Sequence, residues 1–459
     1  MNNSLLNAGA APILVLGAGL AGLAAGSVLG EACMVLESGS RPGGLVRTES
    51  RNGFWFDRVL HLLYFSDPET ERRVRDLLGD DLMPCAPTAW VESRSGTTRF
   101  PLQMHLGELD PEAAVRCLRD LAEVCFASTP KRMSSFEDML INTFGRALCE
   151  EFFFPYNRKV WKRPLEGLAS SGFQWNVTHP DFVEVLRGAL DRKRVFDPYN
   201  SAGWYPRPPA HAPARGMEVL SRALAARVAD LRLGHEVTGI DLDKRLVSAR
   251  AGGSEVALRY EHGCVATLPL PILISLCERA PAHVRRACAN LKRNRVLSIA
   301  LAVRGSRPAG RGHWRYYSDE SICFTRLVHM HELDPDSAPQ NGWGMLVEVT
   351  EPAERPMEAD SVIVNRVIHD VRAVDAIPAG CEIVDVFVMV NDPAYVVFDM
   401  ESRQIVEEAI HFLTANDIWP VGRYGRWEYS SMSQVLRDAF ALAERVRPRP
   451  ASTGCEDRT

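Results

Sequence analysis

The chain lacks the marks of several classes. Its 11 cysteines are odd in number and scattered, with no CxxC pair. That pattern argues against a secreted disulfide scaffold or a zinc ribbon and fits reduced cytoplasmic thiols. No charge excess is present: Lys+Arg 53 against Asp+Glu 58 leaves −5. A near balance of this kind excludes a generic polyanion binder, so no nucleic-acid partner is expected. Low-complexity segments and internal repeats are missing. At 46% hydrophobic and 24% charged residues, the composition is that of an ordinary folded protein. A length of 459 residues allows two to four domains.

One stretch imitates a membrane signal. Residues 1–30 carry no charged side chain, and the first is Glu31. A signal peptide opens with basic residues, and none stand here. Six glycines and Pro12 interrupt the run, which speaks against a membrane helix. A buried strand, a Gly-rich turn and a helix explain it better. No membrane association and a cytoplasmic location are therefore expected.

Ile13-Leu14-Val15-Leu16 is short, continuous and apolar, as a buried parallel strand is. Gly17, Gly19 and Gly22 follow as GxGxxG, then a helix to about Leu29. Cys33 to Leu36 forms the second strand, closed by Glu37. Asp67-Pro68 and Asp110-Pro111 pair a cap with proline at the first helical position. Ser135 to Asp138 reads as a capping box, and residues 104–195 carry mainly helical periodicity. Residues 206–216 read as a Pro/Ala-rich loop, and Met217 to Val228 as a helix. Val296 to Val303, Met345 to Val349 and Val384 to Val390 are β-rich runs separated by turns, as in an antiparallel sheet. A last helix spans about Ser433 to Val446.

The GxGxxG motif gains weight from its context. It lies between a strand and a helix, and Glu37 stands twenty residues after Gly17, where an acid can accept from ribose hydroxyls. Gly17 makes the turn, Gly19 admits a pyrophosphate to the backbone, and Gly22 lets helix and strand pack closely. The helix N-terminus adds N–H donors and partial positive charge.

Beyond Glu37, the segment Arg41-Pro42-Gly43-Gly44-Leu45 resembles the second glycine motif of the FAD-dependent family that contains amine oxidases, phytoene desaturases and sugar mutases. The resemblance implies FAD, with Arg41 on its diphosphate and the backbone of Val237, in His235-Glu236-Val237, on adenine. A narrower resemblance rests on Phe154-Pro155-Tyr156-Asn157-Arg158-Lys159-Val160-Trp161, Trp314-Arg315-Tyr316-Tyr317, Met345 to Val349 and Gly422-Arg423-Tyr424-Gly425. In order and kind these are similar to motifs of UDP-galactopyranose mutases.

The resemblance implies an α/β chain. A Rossmann-type FAD-binding domain would be assembled from residues 1–103, 201–290 and 396–446. A helical substrate domain would span 104–200, an antiparallel sheet domain 291–395 and a tail 447–459. It also implies a pyranose/furanose interconversion through a flavin N5–sugar adduct, without net oxidation. Reduced FAD would be the active form and NAD(P)H a candidate reductant. Homo-oligomerisation is left open.

Phe100 and Gln103 would read the nucleotide base, with Asn200 as a further nucleotide contact. Arg326, Tyr316, Tyr395 and Tyr429 would hold the departing diphosphate. His61, Asn157, Trp161 and Arg423 would surround the sugar and the flavin, with Gly422 beside them on the cofactor. No metal is implied.

The sequence also departs from that family. Val59-Leu60 stands where two glycines precede the histidine, the Pro206 to Gly216 segment lacks the family's glycines, and Ser430 to Ser433 replaces amide-bearing residues. A second diphosphate arginine expected near Trp175-Asn176 is missing, with Arg158 and Arg215 as candidate substitutes. Three readings follow: a nucleotide-sugar mutase-like enzyme, an FAD-dependent oxidoreductase of the amine-oxidase kind, and a non-catalytic flavin- or nucleotide-binding relative.

Overall fold

Two seven-stranded sheets organise the chain. The computed structural model describes residues 6–128, 133–170, 179–196 and 202–448. Asn200 and the Trp175-Asn176 pair lie outside the described residues.

The first sheet starts from the apolar run read in the sequence. Strand Leu6–Leu16 lies parallel between Cys33–Leu36 and Ser254–Ala266, and Ile418–Pro420 and Leu231–Arg232 extend the parallel part. Strands His235–Asp241 and Leu246–Ala251 continue it as an antiparallel meander. Ile13 to Leu16 are fully buried, as a strand covered on both faces requires. On one face the helices Leu20–Leu29 and Met432–Val446 pack together.

The second sheet runs in the order Glu382–Val396, Arg293–Arg304, Gly342–Pro352, Arg326–His329, Trp314–Tyr317, Ala89–Ser93 and Gly96–Arg99. Pairing is antiparallel except between Trp314–Tyr317 and Ala89–Ser93. Residues 89–99, which the sequence reading placed with the dinucleotide domain, thus complete this sheet instead. Alternation along its central strands divides two cores. Ala300, Ala302 and Leu346 face the first sheet's domain, while Leu297, Ile299, Leu301 and Val347 pack under helix Asp360–Ala373.

Between these parts lies a helical insertion with its own core, built from Pro111–Cys125, Phe136–Phe144, a π-turn Cys149–Phe153, Phe154–Trp161 and Phe182–Leu190. Its starts follow the sequence signals. Asp110 caps the helix that opens on Pro111, and Ser135 and Asp138 form a reciprocal capping box. Asp67 caps the helix that opens on Pro68 in the same way. No helix among the described residues is long and apolar enough to cross a membrane.

Candidate functional site

The glycine turn forms a cradle. A Cβ on Gly22 would lie 1.8 Å from the Gly17 carbonyl oxygen, so helix and strand meet only because that side chain is missing. A Cβ on Gly19 would meet nothing within 4 Å, which leaves an open approach to the helix N-terminus. Glu37 closes the mouth of the turn. Its Oε2 accepts from the Ala18 N–H at 2.9 Å and its Oε1 from the Gly39 N–H at 2.8 Å. The His235 N–H donates to the Glu37 carbonyl at 2.8 Å, which sets the strand bearing Val237 beside the same acid. Gly43 bridges to Gly19, so the second glycine motif, with Gly44 and Leu45, lies across the first.

Arg41, expected on the cofactor diphosphate, is engaged by groups of the protein. It is held at 2.9 Å by Glu49, at 2.5 Å by Glu218 and at 3.1 Å by the Thr48 carbonyl. Two carboxylates thus offset its charge within the protein. Arg47, which the motif reading passed over, has a buried Nε with no partner, and its Cγ would lie 2.9 Å from a Cβ on Gly43.

Further along the cradle, Gly422 packs against the first helix, where a Cβ would come 2.7 Å from that of Ala21. Arg423 Nε and Nη2, Ser430 Oγ and Ser433 Oγ are likewise buried without partners. Each unpaired buried polar group costs about 1–3 kcal/mol. An extended polar cofactor would satisfy these groups, and the open Gly19 approach leaves room for one. The residues present therefore fit a dinucleotide.

A cleft adjoins the cradle, and strand register builds one wall. Tyr316 lies opposite Arg326, Arg326 opposite Glu348, and Glu348 opposite Ser298. Directly opposed residues share a face, so the row points at the first sheet's domain. Glu348 clamps Arg326, accepting from Nη2 at 2.6 Å and Nε at 2.8 Å, with the acid only 6% exposed. Glu348 is an acid inside the otherwise apolar run Met345 to Val349, and that interruption is the signal the sequence holds.

Aromatic contacts extend the wall. Tyr316 meets Phe100 at 5.7 Å and Tyr156 at 5.6 Å between ring centroids. Tyr395 and Tyr429 lie parallel, 9° apart in plane and 6.3 Å between centroids. The Arg423 guanidinium stands over both, 4.3 Å from Tyr429 and 5.5 Å from Tyr395. Burial raises the hydroxyl pKa of Tyr156, Tyr316 and Tyr395, so these stay protonated and able to donate.

His61 keeps solvent-accessible surface although Leu60 and Leu62 beside it are buried, as a side chain facing an internal cleft does. Surrounding protein first, then the charges of Arg326 and Arg423, push its pKa down to about 3. Its Nδ1 lies 2.5 Å from the Leu60 carbonyl. That bond assigns the proton to Nδ1 and leaves Nε2 as an acceptor.

The structure thus brings together His61, Phe100, Tyr316, Arg326, Tyr395, Arg423 and Tyr429, and adds Tyr156 and Glu348. Three expected site residues lie behind this surface: Gln103 and Asn157 are each 1% exposed and Trp161 2%. The candidate substitute arginines are placed elsewhere. Arg215 is locked by Asp334 at 2.7 and 2.8 Å, and Arg158 points outward over Phe154. No group of His, Cys, Asp and Glu fit to hold a metal occurs among the described residues.

The family described as flavin containing amine oxidoreductase matches residues 20–379. Among solved structures, the chain is similar to a reduced UDP-galactopyranose mutase, at TM-score 0.86 and 20% identity over 95% of each chain. It is also similar to a putative protoporphyrinogen oxidase from Exiguobacterium sp. 255-15, at TM-score 0.69 and 16% identity, covering 96% of this chain and 99% of that one. A fatty acid isomerase from P. acnes follows at TM-score 0.63 and 14% identity, over 95% and 98%. At these identities the likenesses show the fold.

Proposed function

The chain belongs to the flavin containing amine oxidoreductase family, and from that premise we propose that it is an FAD-dependent, nucleotide-sugar mutase-like enzyme that interconverts pyranose and furanose rings without net redox change. One observation carries the choice within the family: the guanidinium of Arg423 lies over the parallel rings of Tyr395 and Tyr429. A pair of parallel tyrosines is a seat for a substrate ammonium. Here the protein's own cation fills that seat. Arg326 lies within reach of the neutral His61 but is ion-paired with Glu348, so Arg423 carries the positive charge that the cleft offers. An amine substrate would be repelled, and a diphosphate would be attracted.

The chemistry follows from these groups. Bound reduced flavin supplies an electron-rich nitrogen able to attack an anomeric carbon. Arg423, the protonated hydroxyls of Tyr316 and Tyr395 and the Tyr429 side chain grip the diphosphate while the sugar is detached. Glu348 fixes the plane of Arg326, so its guanidinium is oriented before ligand arrives. His61 Nε2 accepts from a sugar hydroxyl without competing for a proton at neutral pH. Phe100 and Tyr156 provide ring faces for the base. The same fold serves oxidoreductases, and a net-redox reading would need the aromatic seat free.

Calorimetry on the FAD-loaded protein tests the sign of the cleft. UDP is expected to bind and a diamine such as putrescine not to bind. Arg423→Gln, measured on protein saturated with FAD because the same guanidinium belongs to the cofactor cradle, is expected to weaken UDP by roughly 2–5 kcal/mol. Diamine binding without UDP binding would instead support the oxidoreductase reading.

A further inference from the structure

Tyr395 has a built support on the side away from the cleft. Trp161 contacts it edge-on, with ring centroids 5.8 Å apart and planes at 63°. The indole is 2% exposed, and Phe136 backs it at 6.4 Å. Its Nε1–H donates to Asn157 Oδ1 at 3.1 Å, and Asn157 Nδ2 donates to the Phe153 carbonyl at 2.7 Å, at the end of the π-turn. These two bonds fix the amide's orientation: its nitrogen must face a carbonyl, so its oxygen must face the indole. The far end of the helix is pinned too. The Trp161 carbonyl accepts from Asn294 Nδ2 at 3.0 Å and from Arg163 Nη1 at 2.9 Å.

His61, which faces the cleft, keeps accessible surface. Asn157, at 1%, keeps almost none. We propose that Asn157 is a positioning residue, which acts through Trp161 as a brace behind Tyr395 and makes no contact with the nucleotide-sugar. Rotation of the indole would release the Tyr395 ring, and with it the parallel partner Tyr429 and the seat of Arg423. This rests on the diphosphate-binding reading given above.

The test uses the FAD-loaded full chain with UDP as probe. Asn157→Leu is expected to weaken UDP by about three- to tenfold in the native background and by less than about twofold in a Trp161→Phe background, as for two residues acting as one unit. Equal weakening in both backgrounds, or none in either, overturns the brace. A second measurement needs no change at Asn157. In protein labelled with 15N-tryptophan, the Trp161 indole signal is identified by its loss in Trp161→Phe. That indole proton should exchange slowly with solvent, with or without UDP. Fast exchange overturns the proposal even if Asn157→Leu does not fold. If UDP binds neither native nor variant protein, the diphosphate reading fails, and the indole measurement still decides the brace.

Discussion

Removing the guanidinium of Arg423 takes away one of the two charges that help hold His61 neutral at a pKa of about 3. In Arg423→Gln, the His61 imidazole is expected to titrate at a higher pH, with burial and Arg326 still keeping it below the ordinary histidine range. An NMR pH titration of its ring protons reads this, and an unchanged value would place Arg423 out of reach of His61. The two cradle arginines are expected to part company. Arg47→Ala removes a donor with no protein partner and should weaken FAD by roughly 1.5–3 kcal/mol, read by flavin fluorescence on dilution. Arg41→Ala leaves Glu218, 6% exposed, without its closest cation, so its cost should appear as a lower unfolding temperature of the protein. The sequence could not separate them. Both follow Glu37 within the motif, and only the positions of Glu49 and Glu218 show which guanidinium is already spent. Glu37, by contrast, was legible, because GxGxxG spacing ties an acid at a strand end to the turn it faces.

Among the secondary elements, the antiparallel sheet carries a cluster of histidines away from the cleft. His329 and His331 lie 5.8 Å apart and both pack on Trp343, at 6.2 and 5.8 Å between centroids. His331 has no hydrogen-bond partner on either ring nitrogen. His313 adjoins them, its carbonyl accepting from the His329 N–H at 2.8 Å. Burial pushes His329 to about 3 and His313 and His331 to about 4. These values lie below that of a histidine in the unfolded chain, near 6.5, so between about pH 4 and 6.5 the unfolded state binds more protons. Stability should therefore be fully present above about pH 6.5 and fall as pH drops, by at most roughly 1.4 kcal/mol per pH unit for each histidine. Urea unfolding at pH 7.5 and pH 5 reads the loss, and His331→Phe should reduce it. A midpoint that does not move over that range would contradict the burial of these rings. Helix starts were readable because proline and a capping acid act locally. The placement of Ala89–Ser93 in this sheet was not, since its partner, Trp314–Tyr317, is more than 200 residues away.

Over the whole molecule, the chain threads twice between two cores, and the cleft forms where the sheet's polar row meets the glycine cradle. The parallel sheet, the helical insertion and the β-rich third were legible because periodicity survives in one sequence. Which motif residues face the cleft was not legible, because that depends on register and on what stands in front. Asn157 and Trp161 belong to a motif resembling that of the mutases, yet Tyr395 lies between Trp161 and the cleft. The central claim concerns the sign and outcome of the chemistry. It is tested most directly by incubating a panel of nucleotide sugars anaerobically with the dithionite-reduced, FAD-loaded protein and analysing products by mass and NMR. The account predicts a product of unchanged mass and altered ring size, formed only by reduced protein and without stoichiometric NAD(P)H consumption. A product lighter by two hydrogens, formed by oxidised protein as reduced flavin accumulates, would contradict it.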